Sequence, residues 1–167
     1  VTFAVPEGLR EQFRFEPGQH VTVRTDLGGR GVRRNYSICA PATRAMLRIA
    51  VKHIPGGAFS TFVAQQLKAG DVLEVMTPTG HFCTPLHPLN QKHYVAIAVG
   101  SGITPILSML QTTLELETES RFTLIYGNRT KNSTMFRQEL DDLESRYADR
   151  LEIKHVLARD PHHTPDL

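Results

Sequence analysis

Three groups of residues combine types and spacings that chemistry can use. Gly100-Ser101-Gly102-Ile103-Thr104-Pro105 follows an apolar run and opens a helical pattern. Glycine lets a backbone approach a ligand closely, and the free N–H groups at a helix start face an anion. This is the phosphate-binding context of a dinucleotide fold. Thr104 is the expected N-cap, and Pro105 suits the first helical position, where a missing N–H costs nothing. Pro105 also stands where the usual third glycine would be, so a tight strand-to-helix turn without a ligand is the alternative. The second group is Gly56-Gly57-Ala58-Phe59-Ser60, again before a helical pattern, with Arg34-Asn35-Tyr36-Ser37 upstream. Arg34 offers charge for a phosphate, Tyr36 a flat face for an aromatic ring, and Ser37 a small hydroxyl donor. Two anion sites, one in each half of the chain, are what two nucleotide cofactors require. On residue chemistry alone, a strand arginine and a core tyrosine are the simpler account of Arg34 and Tyr36.

The third group sits at strand ends. A carboxylate after the second strand of a dinucleotide fold would bind the adenosine ribose of NAD. The chain instead has Tyr126-Gly127-Asn128-Arg129, and a later strand runs into Arg159. Arginine can hold the 2′-phosphate of NADP by bidentate, charge-assisted bonds. The pattern favours NADPH, while Asp160 beside Arg159 keeps NADH open. Ordinary surface arginines are the alternative for both positions.

Composition narrows the function classes. The net charge is +2 with scattered Lys and Arg, which gives no nucleic-acid patch. Cys39 and Cys83 form no CxxC, and two thiols are too few for a four-thiolate cluster or a disulfide framework. The eight histidines are dispersed, so no metal site is expected. No apolar run reaches the roughly 18 to 20 residues of a membrane helix. A reduced, cytoplasmic chain is expected, with no membrane partner.

These residues need elements to hold them. Up to about Leu89 the texture is β. Val21 and Val23, then Leu47, Ile49 and Val51, alternate with polar neighbours, and Val72–Met76 is a further strand candidate. Turns are expected at Pro17-Gly18, Gly28-Gly29, Gly56-Gly57, Gly70-Asp71 and Thr79-Gly80. Short strands with close turns predict a small antiparallel barrel or sandwich, with one helix carrying Phe59, Phe62, Val63 and Leu67 on one stripe. The segment 84–91 holds Pro85 and Pro88 and reads as a linker. Beyond it, strands at Tyr94–Val99, Phe122–Tyr126 and Leu151–Leu157 alternate with two helical stripes. One is Ile106, Leu107, Leu110 and Leu114, and the other is Phe136, Leu140, Leu143 and Tyr147. This order predicts part of a doubly wound parallel α/β sheet. The expected division is 1–90 and 91–167.

The motifs Phe15-x-Pro17-Gly18-Gln19, Arg34-x-Tyr36-Ser37, Gly56-Gly57-x-x-Ser60, Pro78-x-Gly80-x-Phe82, Gly100-x-Gly102-Ile103-Thr104-Pro105 and Tyr126-Gly127-Asn128-Arg129 occur in one order across nearly the whole chain. In that order and spacing the chain resembles the ferredoxin–NADP reductase superfamily, and within it the reductase components of oxygenases. The resemblance implies an FAD-binding Greek-key barrel followed by an NAD(P)-binding domain. It implies Arg34, Gly57 and Ser60 at the FAD pyrophosphate, Tyr36 against the flavin and ribityl region, and Ser37 near flavin N5. The backbone of Val51 and Lys52 would meet the flavin edge. Gly100, Gly102 and Thr104 would hold the pyridine nucleotide, with Thr104 near the nicotinamide, so Ser37 and Thr104 flank the hydride path. Arg129 and Arg159 match 2′-phosphate positions. The family's further strands, its Cys-Gly-Pro segment and the CxxxxCxxC run of a ferredoxin domain have no counterpart in the sequence. The resemblance therefore implies part of a longer reductase, with residues before Val1 and an iron–sulfur domain after Leu167. In that protein, hydride from NADPH would reach FAD, and single electrons would pass through the cluster to an oxygenase component. A non-catalytic FAD- or nucleotide-binding docking protein is the rival.

Overall fold

The computed structural model describes residues 1–158. Its first half is antiparallel. Strands β2 (His20–Asp26) and β3 (Gly31–Ser37) form a hairpin in register from His20 opposite Ser37 to Asp26 opposite Gly31. The two turn residues, Gly28 and Gly29, have φ of 65° and 80°. Both are positive, as the tight turn that matches strand twist requires. Strand β1 (Thr2–Phe3) pairs with β4 (Leu47–Arg48), and β5 (Glu74–Val75) pairs with β2. A bridge between Ile38 and Ile49 joins β3 to β4, giving the spatial order β5-β2-β3-β4-β1.

Two strands are shorter than their alternation predicts. The run Leu47–Val51 is paired only to Ile49, because the chain then leaves the ladder, with Ala50 and Lys52 lining a cleft. The run Val72–Met76 keeps two strand residues, and Val72 is 92% exposed. Alternation tells which face is buried but not how many partners a strand finds. A 3₁₀ helix at Glu7–Phe13, which carries no buried stripe, has no periodic signal in the sequence. Helix α1 (Ala58–Gln65) sends Phe59 into a core of Val21, Val23, Ile38, Leu47 and Ile49.

The second half is a parallel sheet, β6 (His93–Val99), β7 (Arg121–Asn128) and β8 (Leu151–Leu157), in the order β6-β7-β8. Helices α2 (Ile103–Leu116) and α3 (Arg137–Arg146) cross over between the strands. Both pack on one face, around Ala98, Leu107, Leu110, Phe122, Leu124, Tyr126, Leu140 and Leu143. Right-handed crossovers that step in one direction must fall on the same side. Among the described residues, only one face of the expected doubly wound arrangement is covered. On the other face Val95, Ile97 and Val99 are 63%, 73% and 72% exposed.

Helix α2 binds the halves together. Cys39 from the first half is buried in the α2 core. Ser108 Oγ donates to the Ala40 carbonyl at 2.7 Å, and the Ala42 N–H donates to Thr112 Oγ1 at 3.0 Å. Arg48 donates to Glu139 on α3 at 2.7 Å, and Gln111 donates to the same oxygen at 2.8 Å. Gly18 (φ 103°) is wedged in the same contact: a Cβ there would lie 1.9 Å from the Phe82 carbonyl oxygen and 2.4 Å from Met109 Cε.

The segment 84–91 has no regular structure, yet it is pinned. The buried Glu117 carboxylate accepts from the His87 N–H (2.9 Å), Asn90 Nδ2 (2.7 Å), Ser120 Oγ (2.7 Å) and Tyr94 OH (3.2 Å). Burial raises its pKa, but these hydrogen bonds outweigh it and hold the carboxyl below its usual range. Arg150 donates to the carbonyls of Leu114 and Glu117, which the end of α2 leaves without helical partners.

Candidate functional site

A cleft of about 470 Å³ opens where the two halves meet. From the first half, Arg34, Tyr36, Ser37, Lys52, Gly57 and Ser60 line it, and from the second, Gly102 and Thr104. A larger groove of about 860 Å³ lies elsewhere, between β1, the Glu7–Phe13 helix and the end of α1. It is lined chiefly by aliphatic and phenyl groups and contains none of the glycine-loop residues.

The cleft is built by local structure. Strand β3 places Arg34 opposite Val23 and Tyr36 opposite Val21, at the open end of the sheet. Arg34 is exposed, and its Nη1 donates to the Arg33 carbonyl at 2.7 Å. The Tyr36 ring rests 5.5 Å from the Phe59 ring, tilted by 34°, and forms an aromatic shelf. Burial raises the Tyr36 phenol pKa, and the nearby Arg34 guanidinium partly offsets this. Ser37 closes β3 opposite His20. Val51 and Lys52 lie beyond the β4 ladder, which leaves their backbone groups outside strand pairing. The Val51 side chain packs against the first core, and Lys52 is exposed.

Gly57 caps α1, and here glycine is needed for space. A Cβ would lie 2.6 Å from Ser60 Oγ and 3.1 Å from the Ile54 carbonyl oxygen. The Ser60 hydroxyl is committed to this loop, contacting the Gly57 carbonyl (3.2 Å) and both the N–H (3.2 Å) and the carbonyl (3.3 Å) of Ile54. It shapes the turn that presents the α1 N–H groups. A second cleft of about 470 Å³ shares Gly57 and Ala58 and runs on past Leu27, Phe62 and Gln66. The two together form a groove with an aromatic shelf at one end and a helix start at its middle. A dinucleotide with one flat ring system and a central pyrophosphate fits that donor set.

In the second half, Gly100–Gly102 forms a 3₁₀ turn, and α2 starts at Ile103 with Gly102 as its cap. Thr104 is therefore not the cap, and Pro105 is the third helical residue rather than the first. The Thr104 hydroxyl is spent on the Ser101 carbonyl at 3.0 Å, inside the turn. The early 3₁₀ turn advances the helix start by a residue or two, a shift the sequence pattern does not carry. Gly100 does not line the cleft. Arg129 is exposed at the carboxyl end of β7, also outside it. Arg159 lies outside the described residues. Sequence reasoning missed Ile54, Phe59 and Pro105 as cleft residues. The helical stripe assigns Phe59 to the core, and it serves both places. Sequence reasoning also missed the support given by Tyr126, whose OH reaches the Gly100 carbonyl.

Comparison with known proteins fits this geometry. A model of the oxidoreductase FAD-binding domain matches residues 1–83, and one of the oxidoreductase NAD-binding domain matches residues 96–166. Over 160 residues the chain is 48% identical to a component of the 1,2-phenylacetyl-CoA epoxidase of Escherichia coli, covering 96% of this chain and 45% of that protein. It is 34% identical to the ferredoxin reductase component of 3-ketosteroid-9-alpha-monooxygenase of Rhodococcus rhodochrous, covering 94% and 44%. Its fold superposes on that of ferredoxin-NADP+ reductase from Plasmodium falciparum, solved with 2′P-AMP, with a TM-score of 0.75 at 22% identity, over 92% of this chain and 64% of that one. The chain thus spans a little under half the length of these two curated relatives. With both domain types present in order, the chain belongs to the ferredoxin–NADP reductase family of FAD- and NAD-binding oxidoreductases.

Proposed function

We propose that this chain is the cofactor-binding part of a reductase that takes hydride from NADPH and delivers electrons, through an iron–sulfur domain outside the chain, to an oxygenase resembling a phenylacetyl-CoA epoxidase. One observation carries the reading. Residues of the FAD-binding half (Arg34, Tyr36, Ser37, Gly57, Ser60) and of the NAD-binding half (Gly102, Thr104) face one cleft. Bound FAD supplies a hydride acceptor that can release its two electrons singly. Arg34 and the α1 start hold the pyrophosphate, with Gly57 and Ser60 shaping that turn. Tyr36 sets the plane of the ring system, Ser37 stands at its reactive edge, and the backbone of Val51 and Lys52 borders it. Gly100, Gly102 and Thr104 position the pyridine nucleotide, while Arg129 and Arg159 select its 2′-phosphate. No proton-transfer residue is needed, because orientation and exclusion of water carry the step.

We assign the protein to the cytoplasm, in keeping with the free thiols of Cys39 and Cys83. Among the described residues no helix is long and apolar enough to cross a membrane. The test is an anaerobic titration of FAD-loaded protein with NADPH, watching flavin absorbance. Bleaching is expected. Protein that stays colourless when FAD is added would sink the proposal. Protein that binds FAD but resists NADPH would point instead to a non-catalytic docking protein.

A further inference from the structure

We propose that Tyr126 is the positioning residue of the nucleotide-binding loop: by holding the Gly100 carbonyl, its phenol fixes the peptide plane that presents the Ser101 N–H to pyridine nucleotide. The inference rests on the NAD(P)H reading above and deepens it.

Tyr126 is fully buried on β7. A buried phenol needs a partner, and it has one hydrogen to give. Its OH lies 2.9 Å from the Gly100 carbonyl oxygen, and at 3.5 Å the Met135 carbonyl is a marginal second contact. The Gly100 carbonyl also accepts the Ile103 N–H that closes the 3₁₀ turn. Both of its lone pairs are thereby used, one by the loop itself and one by the core of the sheet.

The consequence follows from peptide geometry. There are no cis peptide bonds among the described residues. In a trans peptide the carbonyl and the following N–H point in opposite directions. With the Gly100 carbonyl drawn toward the buried phenol, the Ser101 N–H must point away from the core, outward from the carboxyl end of the sheet. That is the side on which open parallel sheets bind nucleotides. Little else holds this peptide. A Cβ added at Gly100 or Gly102 would meet nothing within 4 Å, so no side chain packs against the loop in those two directions. Among the described residues, the only side chain from outside the loop and α2 that hydrogen-bonds Gly100–Gly102 is Tyr126. Gly100 itself sits at φ 54°, where glycine has other conformations within easy reach. Without the phenol, the Ile103 N–H is the one remaining partner of the Gly100 carbonyl among the described residues, and the outward Ser101 N–H is presented for less of the time.

The test uses FAD-loaded protein and Tyr126→Phe, which removes the hydroxyl and keeps the buried ring. NADP+ binding is read from the flavin difference spectrum, and flavin reduction from stopped flow with NADPH. NADP+ affinity is expected to fall by about tenfold, the upper scale of one lost hydrogen bond. The limiting reduction rate should fall far less, and FAD content should hold. Gly100→Ala strains the same peptide through its positive φ without touching the core, so it repeats the measurement if the phenylalanine variant folds poorly. In the double variant the two losses should combine to less than their product. Unchanged NADP+ affinity in Tyr126→Phe would overturn the inference. So would losses of affinity, FAD content and thermal midpoint that run in parallel, which mark a merely structural role. Wild-type protein that binds no NADP+ would instead overturn the parent reading.

Discussion

At the scale of single residues, the cleft separates groups that touch a ligand from groups that shape the backbone around it. Gly57 and Ser60 belong to the second kind. Gly57→Ala puts a methyl group 2.6 Å from Ser60 Oγ and 3.1 Å from the Ile54 carbonyl oxygen, which displaces the Ser60 hydroxyl from the bonds that shape the α1 start. FAD retention, measured by equilibrium dialysis, should fall by roughly tenfold or more, the cost of displacing a donor set by a fraction of an ångström. Arg129, exposed at the carboxyl end of β7 and outside the cleft, is the proposed contact to the 2′-phosphate. Arg129→Ala should weaken NADPH by about tenfold or more through loss of a charge-assisted contact and leave NADH nearly unchanged. Equal losses for both cofactors would show that Arg129 does not meet the 2′-phosphate. The sequence singles out these positions because a helix-start glycine and a strand-end arginine suggest a purpose by their type. It did not reveal that the Thr104 and Ser60 hydroxyls are consumed by their own loops, since that depends on where a helix begins.

At the scale of elements, periodicity placed α2, α3 and the parallel strands well, because each buries a continuous apolar face. Strand β8 runs over Leu151–Leu157, as its pattern predicts. Short antiparallel strands fared worse: their ends are set by neighbours from distant sequence, as at Val51 and Val72. Glu117 left no trace in the pattern. It follows the apolar stripe of α2 as an apparently solvent-facing charge, yet it is buried and ties together the segment 84–91, α2 and β6. Glu117→Gln should cost about 1.5–3 kcal/mol in urea unfolding, the range for hydrogen bonds to a charged group. The pH dependence has a defined sign. A carboxyl that titrates below its usual 4.5 when folded stabilises the protein fully above that pH. The contribution is lost as pH falls through the lower, folded value. Thermal midpoints compared between pH 6 and pH 3.5 should drop more in wild type than in Glu117→Gln. A drop of equal size would refute the assignment.

At the scale of the whole molecule, one face of the parallel sheet is left uncovered among the described residues. Val95, Ile97 and Val99 form an apolar row on β6, itself an edge strand. Such edges pair with other chains. The isolated chain should associate with rising concentration in light scattering, and Ile97→Lys should suppress this without loss of FAD binding. The general architecture, barrel then parallel sheet, was legible from the change of texture near residue 90. What the texture hid is how much the halves share. Cys39 is buried among α2 side chains, Ala40 and Ala42 are bonded to Ser108 and Thr112, and Gly18 presses on Met109. These contacts predict that the two sequence modules fold as one unit. Heating should give one calorimetric transition whose van't Hoff and calorimetric enthalpies agree, and a cut within residues 84–91 should leave fragments that melt without cooperativity. In evolutionary terms, this contact makes the two cofactor-binding parts hard to exchange separately: a barrel borrowed from a distant relative would arrive without a surface that fits this helix.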